Sequence, residues 1–411
     1  MMQHPLSKVP NSEILGTGLV RELPADISLH AWQVLRWVIL WADEGFCPPS
    51  ELFDLPALED ALLDIAGQRL ASAPADDPRN PLVAIVGELL QPDPDAGVMA
   101  RACLCMAEWA LPRQHLVTGL AFAEAAAFAM PSARYSFLAA KLHRQHGRHR
   151  DAERLLKAAE VMARQEKDWE TNIRIRLARG SVDLLQGRYE AARASMAGAL
   201  KACDRHRLGG TIRGEVHHDL MAAETGLKDY PAALQHAEAA MAAYGPDHPR
   251  LPHLAHDLAS LWMEMGDYHN ALAVLQSLLA RHFQHDVQLR LMACASAVRA
   301  AGGCGEPGAY ARLAGELDAA LARAPQVTVR HGPALVDAAR GAVMAGDKTR
   351  MERWAGLAGR FAVQMQQEEV AEDARTVAHR PSPPPTARSR VRRNEELAMR
   401  TVAALASSVA A

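Results

Sequence analysis

The 411-residue chain is 49% hydrophobic but only 5% aromatic, and its formal net charge is -3. Dominance of alanine and leucine over β-branched and aromatic residues excludes a sheet-rich body and favours close-packed helices. Near-neutral charge excludes a global field toward nucleic acid or an anionic membrane, and no stretch approaches the roughly 18 apolar residues that span a bilayer.

The opening MMQHPLSKVPNSEILGTGLV lacks the basic, apolar, then small-residue order of a secretory leader, so a cytoplasmic location is expected. Residues 1–27 are rich in turn formers and read as irregular. His30 to Trp41 is apolar on nearly every side except Gln33 and Arg36, which predicts a helix enclosed by others. Cys47-Pro-Pro-Ser breaks the chain, a second helix begins at Leu55-Pro56, and a third runs from Pro81 to Leu90. Residues 28–92 therefore read as an N-terminal helical cap. Cys103 and Cys105 fall in the next apolar run, where packed thiols are expected; the six cysteines hold no paired CxxC of zinc or redox type.

From Gly97 the chain reads as helical hairpins. Four steps recur: Gly147-Arg-His149-Arg-Asp-Ala152, Gly187-Arg-Tyr189-Glu-Ala-Ala192, Lys228-Asp-Tyr230-Pro-Ala-Ala233 and Gly266-Asp-Tyr268-His-Asn-Ala271. Their alanines are 40, 41 and 38 residues apart. A period in that range means stacked supersecondary units, because one amphipathic hairpin cannot bury its apolar stripe alone. Glycine suits a turn with positive φ, and Lys228 at the same place predicts a differently shaped turn. Alanines at 152, 192, 233 and 271, repeated seven residues on at 159, 199 and 240, thin one face of the second helix for close packing.

Two degenerate repeats follow. The first pairs Val287–Ala301 with Gly308–Ala324 across a glycine-rich loop, 302–308, which lacks the lysine and hydroxyl residue of a phosphate cradle. The second pairs Pro333–Ala345 with one helix from Lys348 to about Val377. Residues 378–393, rich in proline and arginine, read as a solvated linker, and 394–411 as a short helix with Leu397, Val402, Leu405 and Val409 on its apolar side.

These repeats resemble the tetratricopeptide repeat family over 97–377, most clearly 133–283, and their long period, with Gly245-Pro-Asp-His-Pro249, is similar to the kinesin-light-chain type. The resemblance implies an all-α, right-handed solenoid whose first helices line a concave groove. Positions matching that face include Arg134, Phe137, Lys141, Arg144, Arg174, Leu177, His218, His253 and His256. Cations and histidines predominate there, so the expected partner is a protein or peptide segment, acidic in character, with no cofactor, nucleic acid or membrane. The expected role is a non-catalytic scaffold or adaptor. A regulatory sensor that changes conformation on binding a signalling peptide is the alternative. A metal-dependent hydrolase using His218-Asp219 and His256-Asp257 ranks last, since two such pairs need further convergent ligands.

Overall fold

Every first helix of the array stops in the same way. Arg148 N–H donates to His143 O (2.9 Å), Arg188 to Asp183 O (2.9 Å), Asp229 to Glu224 O (2.9 Å), Asp267 to Trp262 O (2.8 Å), Glu306 to Ala301 O (3.2 Å) and Asp347 to Ala342 O (2.9 Å). This bond across the helix end needs a left-handed residue just before it. Gly187, Gly266, Gly305 and Gly346 supply it with φ of 68, 77, 69 and 72°. Lys228 supplies it too, at φ 61°, so that turn has the common shape and the side chain carries the strain.

The computed structural model describes residues 18–67, 77–111, 113, 115–145, 148–245, 247–281, 287–323, 328–379 and 392–407. Among them there is helix and turn but no strand. The chain divides into two units at Thr171/Asn172.

The first unit contains α1 (Gly18–Glu22), α2 (Ala25–Asp43), α3 (Leu55–Ala66), α4 (Arg79–Leu89), α5 (Ala96–Ala110), α6 (Leu116–Ala129), α7 (Ala133–Gln145) and α8 (His149–Glu166). Of the segment 1–27 expected to be irregular, residues 1–17 lie outside the described residues and Gly18–Glu22 is helical, because Leu19, Leu23 and Ile27 are buried and Glu22 binds the start of α6. Its carboxylate accepts from Val117 N (2.9 Å) and Thr118 N (2.8 Å), satisfying donors that a helix leaves open. Helix α2 packs on α4 and α6, burying Ala31, Val34, Leu35, Val38 and Trp41. It is not enclosed on all sides, since Leu29 and Leu40 remain exposed. Cys103 is buried, but Cys105 turns outward.

The second unit begins within α9 (Trp169–Leu185) and continues as α10 (Tyr189–His206), α11 (Gly210–Gly226), α12 (Tyr230–Tyr244), α13 (Leu251–Glu264), α14 (Tyr268–Arg281), α15 (Val287–Cys304), α16 (Pro307–Arg323), α17 (His331–Ala345), α18 (Lys348–Gln364), α19 (Glu368–Thr376) and α20 (Arg392–Ser407). It is an all-α repeat solenoid. First helices contact first helices of the next repeat, α11 on α13, α13 on α15 and α15 on α17, while α12, α14 and α18 close their hairpins. The signature alanines Ala192, Ala233 and Ala271 are fully buried, as Ala152 nearly is in the first unit.

The recurring tyrosine locks each hairpin to the next. Tyr189 packs on Gly226 and Tyr268 on Gly303, where any Cβ would overlap the ring. Tyr230 donates to Glu264 O (3.3 Å), and Tyr310 to the Asp347 carboxylate (3.0 Å).

Two expectations need correction. Gly302 and Gly303 are the end of α15, not a loop, because Gly302 lies against the backbone of Gly341. The last long helix is two, α18 and α19, parted at Gln366 with φ 55°. The C-terminal helix α20 packs on α13 and α14, burying Leu397 and Leu405, with Asn394 donating to Asp267 Oδ2 (3.0 Å). Val409, Gly147 and residues 380–391 of the expected linker lie outside the described residues.

Candidate functional site

On the first helices of the second unit, polar residues about one repeat apart bind one another. Arg174 Nε on α9 donates to Glu215 Oε2 on α11 (3.2 Å), and Arg250, just before α13, approaches Glu215 Oε1 (3.7 Å). His218 on α11 and His256 on α13 both donate to Asp257, at 3.0 and 2.8 Å. With its Nδ1 proton committed to the carboxylate, His256 accepts at Nε2 from Ser296 Oγ on α15 (3.1 Å). Arg299 on α15 bridges Glu264 (2.7 Å) and Asp337 on α17 (3.0 Å), and Arg340 carries the chain from α17 to Asp373 on α19 (3.0 Å).

This ladder holds first helices in register where apolar packing alone would permit sliding. It also curves: Glu369 of α19 comes back to the α9–α10 turn, close enough to Gly187 to collide with any added Cβ.

The electrostatics are those of closely packed polar groups. Burial alone would raise the Asp257 carboxyl, yet the two imidazole donors outweigh it and hold it well below the ordinary carboxylate range. His253 is reached by water, but desolvation by the surrounding protein, with Arg330 nearby, lowers its pKa to about 3. It is therefore neutral at physiological pH. Tyr244, whose hydroxyl is pushed up by burial, stacks on His248 with ring centroids 4.3 Å apart.

Nine residues were expected to line one groove. Arg134, Phe137, Lys141 and Arg144 lie on α7 in the first unit, with Arg134 exposed and 3.9 Å from Glu108. In the second unit the ladder gathers Arg174, His218 and His256, with His253 beside them. Leu177 does not belong to that face: it is 5% exposed and shares an apolar stripe with Ile173 against Met196, Ile212 and Val216. The two His-Asp pairs do not converge as a hydrolytic metal centre either, since Asp257 serves both histidines and Asp219 joins neither bond. Sequence reading singled out neither Arg250, Ser296, Arg299, Asp337 nor Arg340. Its available signal was a charge such as Arg299 inside the apolar run from Leu289 to Ala301.

His331, at the start of α17, shows what acid should do. It is 3% exposed, Thr328 N donates to its Nδ1 (3.0 Å), and desolvation lowers its pKa from 6.5 to about 4. The unfolded chain binds a proton below pH 6.5 that the fold refuses until about 4. Its contribution is present above 6.5 and declines on acidification, by about 2 kcal/mol at pH 5. Urea unfolding at pH 7.5 and 5 should show this loss, and His331→Gln should flatten the difference by a comparable amount.

No protein-family model matches the chain, and no curated protein sequence matches it. Among solved structures, a Rap protein complexed with competence and sporulation factor is similar at TM-score 0.46 and 11% identity, over 90% of this chain and 99% of that one. The P58(IPK) TPR domain is similar at TM-score 0.21 and 14% identity, over 84% of this chain and 98% of that one. Among the described residues no helix is long and apolar enough to cross a membrane.

Proposed function

We propose that the chain is a non-catalytic interaction scaffold of the tetratricopeptide kind, with the longer kinesin-light-chain-like period, holding a peptide segment of a protein partner along α9, α11 and α13. The observation that carries this is Glu215, whose side chain is 6% exposed and is shared by Arg174 and Arg250, themselves 31% and 40% exposed. An acidic side chain or C-terminal carboxylate arriving there meets two oriented guanidiniums and shares them with Glu215. His253, neutral beside them, adds hydrogen-bonding capacity without competing charge.

The groups a hydrolase would use are engaged in holding repeats together, which favours binding over chemistry and a role without a cofactor. The net charge of -3 favours a protein partner over nucleic acid or membrane, in a cytoplasmic setting. Arg134, Phe137, Lys141 and Arg144 on α7 form a separate candidate contact row in the first unit.

The test is affinity capture from native lysate by the full chain and by an Arg174→Glu, Arg250→Glu double variant, with Lys157→Glu as a control on an exposed cation. Capture should fall about tenfold or more in the double variant, as expected for loss of a charge-assisted pair, and persist in the control. Equal capture by all three would overturn the proposal.

A sensor reading draws on the same carboxylate. Glu215 ties α9, α11 and the start of α13 together, so a ligand that takes its arginines loosens three repeats at once. A ligand-dependent change in small-angle scattering would favour the sensor; an unchanged profile on binding would favour the scaffold.

A further inference from the structure

Where the hairpin turns of the fourth and fifth repeats stack, three side chains of different chemistry meet. His269 is in the first turn of α14, Cys304 ends α15, and Glu306 immediately precedes α16. One ligand atom from each lies within 4.8 Å of the other two, the one such group among the described residues. The approach has a cause in the packing: the Tyr268 ring lies on Gly303, where only a glycine leaves room, and this brings the next residue along each chain, His269 and Cys304, side by side.

We propose that His269, Cys304 and Glu306 form a zinc-binding site. Around a tetrahedral zinc with ordinary bond lengths, nitrogen, sulfur and oxygen ligands stand about 3.3 to 3.8 Å apart, so side-chain rotation of an ångström or so closes the set. One imidazole, one thiolate and one carboxylate suit a borderline-soft divalent ion better than calcium or magnesium, which take oxygen alone. The repeat itself offers a comparison. Positions equivalent to Cys304, just before the left-handed turn residue, carry Gln186, Leu227, Met265 and Ala345, and positions equivalent to His269, just after the tyrosine, carry Glu190, Pro231 and Ala311. The histidine and the cysteine thus depart from the other turns in neighbouring repeats, at the one junction where they face each other.

His269 and Glu306 are exposed and Cys304 is half-buried, so the fourth coordination position points to solvent and takes water or a ligand from a partner. Binding displaces the thiol proton, since the thiolate is the ligand: Cys–SH and the ion give Cys–S–zinc and a released proton.

The experiment uses the full chain, stripped with chelator and titrated with zinc and with cobalt(II). One ion per chain should bind, the cobalt form should show a thiolate charge-transfer band, and zinc should protect Cys304 from alkylation as followed on its own peptide. Cys304→Ser and His269→Gln should each weaken binding by at least about tenfold, the scale seen when a metal site loses a supporting group, with far-UV circular dichroism unchanged. Absence of stoichiometric uptake by the unmodified chain would overturn the assignment. So would uptake that survives Cys304→Ser, or that is lost instead with His218→Gln and His256→Gln.

Discussion

Replacing Arg299 with methionine is expected to remove about 2 to 3 kcal/mol of stability, less than for a fully buried pair because the carboxylates left behind are partly in reach of water. Arg299 is 3% exposed, and its guanidinium links Glu264 and Asp337, at 2.7 and 3.0 Å. Burial alone would lower its pKa, but the two carboxylates hold it above even the usual arginine value. Methionine matches the stem but removes the cation that faces Glu264 and leaves Asp337 only the longer contact to Arg340 (3.4 Å) at the joint of α13, α15 and α17.

A compensating change separates electrostatics from packing, since a packing defect would not respond to neutralising the partners. A triple change that also makes Glu264→Gln and Asp337→Asn should regain part of the loss, because a neutral set needs no buried cation. Equal stability of Arg299→Met and the unmodified chain in urea at pH 7 would refute the account.

The architecture was legible in the sequence because the repeat writes its mechanics locally. Glycine before an acidic cap, then tyrosine, then alanine, specifies a helix end, a helix start and a thin face within six residues, and Asp229, Asp267 and Asp347 do cap their helices through their side chains. Lys228 was misread because sequence shows preference, while stacking on both sides imposes the turn and makes lysine bear φ 61°. Gly302 and Gly303 were misread for a related reason. Adjacent glycines suggest a loop, but here each is small to admit a neighbour, the Gly341 backbone and the Tyr268 ring.

The ladder was harder to see than the scaffold. Its bonds join residues near one repeat apart, Arg174 to Glu215, His218 to Asp257, Arg299 to Asp337, and a sequence shows such residues only as isolated polar points in apolar helices. The histidines drew attention through adjacent aspartates, yet His218 binds the aspartate of the following repeat rather than its neighbour Asp219. Leu177 was assigned to the groove by position in a helix, whereas the stripe it shares with Ile173 decides its direction.

Two glycine-to-alanine substitutions in adjoining repeats are expected to move stability in opposite directions. Gly315, within α16, has nothing within 4 Å of a would-be Cβ, and alanine there gains helix propensity, so Gly315→Ala should stabilise by up to about 1 kcal/mol. Gly341, within α17, would put its Cβ 2.6 Å from Val298 O and 2.7 Å from the Arg299 Cα of α15. Those are backbone atoms, which cannot rotate aside as a side chain would. Relief requires α15 and α17 to separate, opening contacts among buried Val298, Leu335, Ala338 and Ala342 and lengthening the Arg299–Asp337 bond. The propensity gain is the same at both sites, so overpacking, at the upper end of its usual 1 to 3 kcal/mol, decides the sign at Gly341. Urea unfolding, with hydrogen exchange in α15 and α17 assigning the transition, should place Gly341→Ala below the unmodified chain and Gly315→Ala level with it or above. If Gly341→Ala left exchange in both helices unchanged, the close backbone approach that sets the pitch between these repeats would not exist.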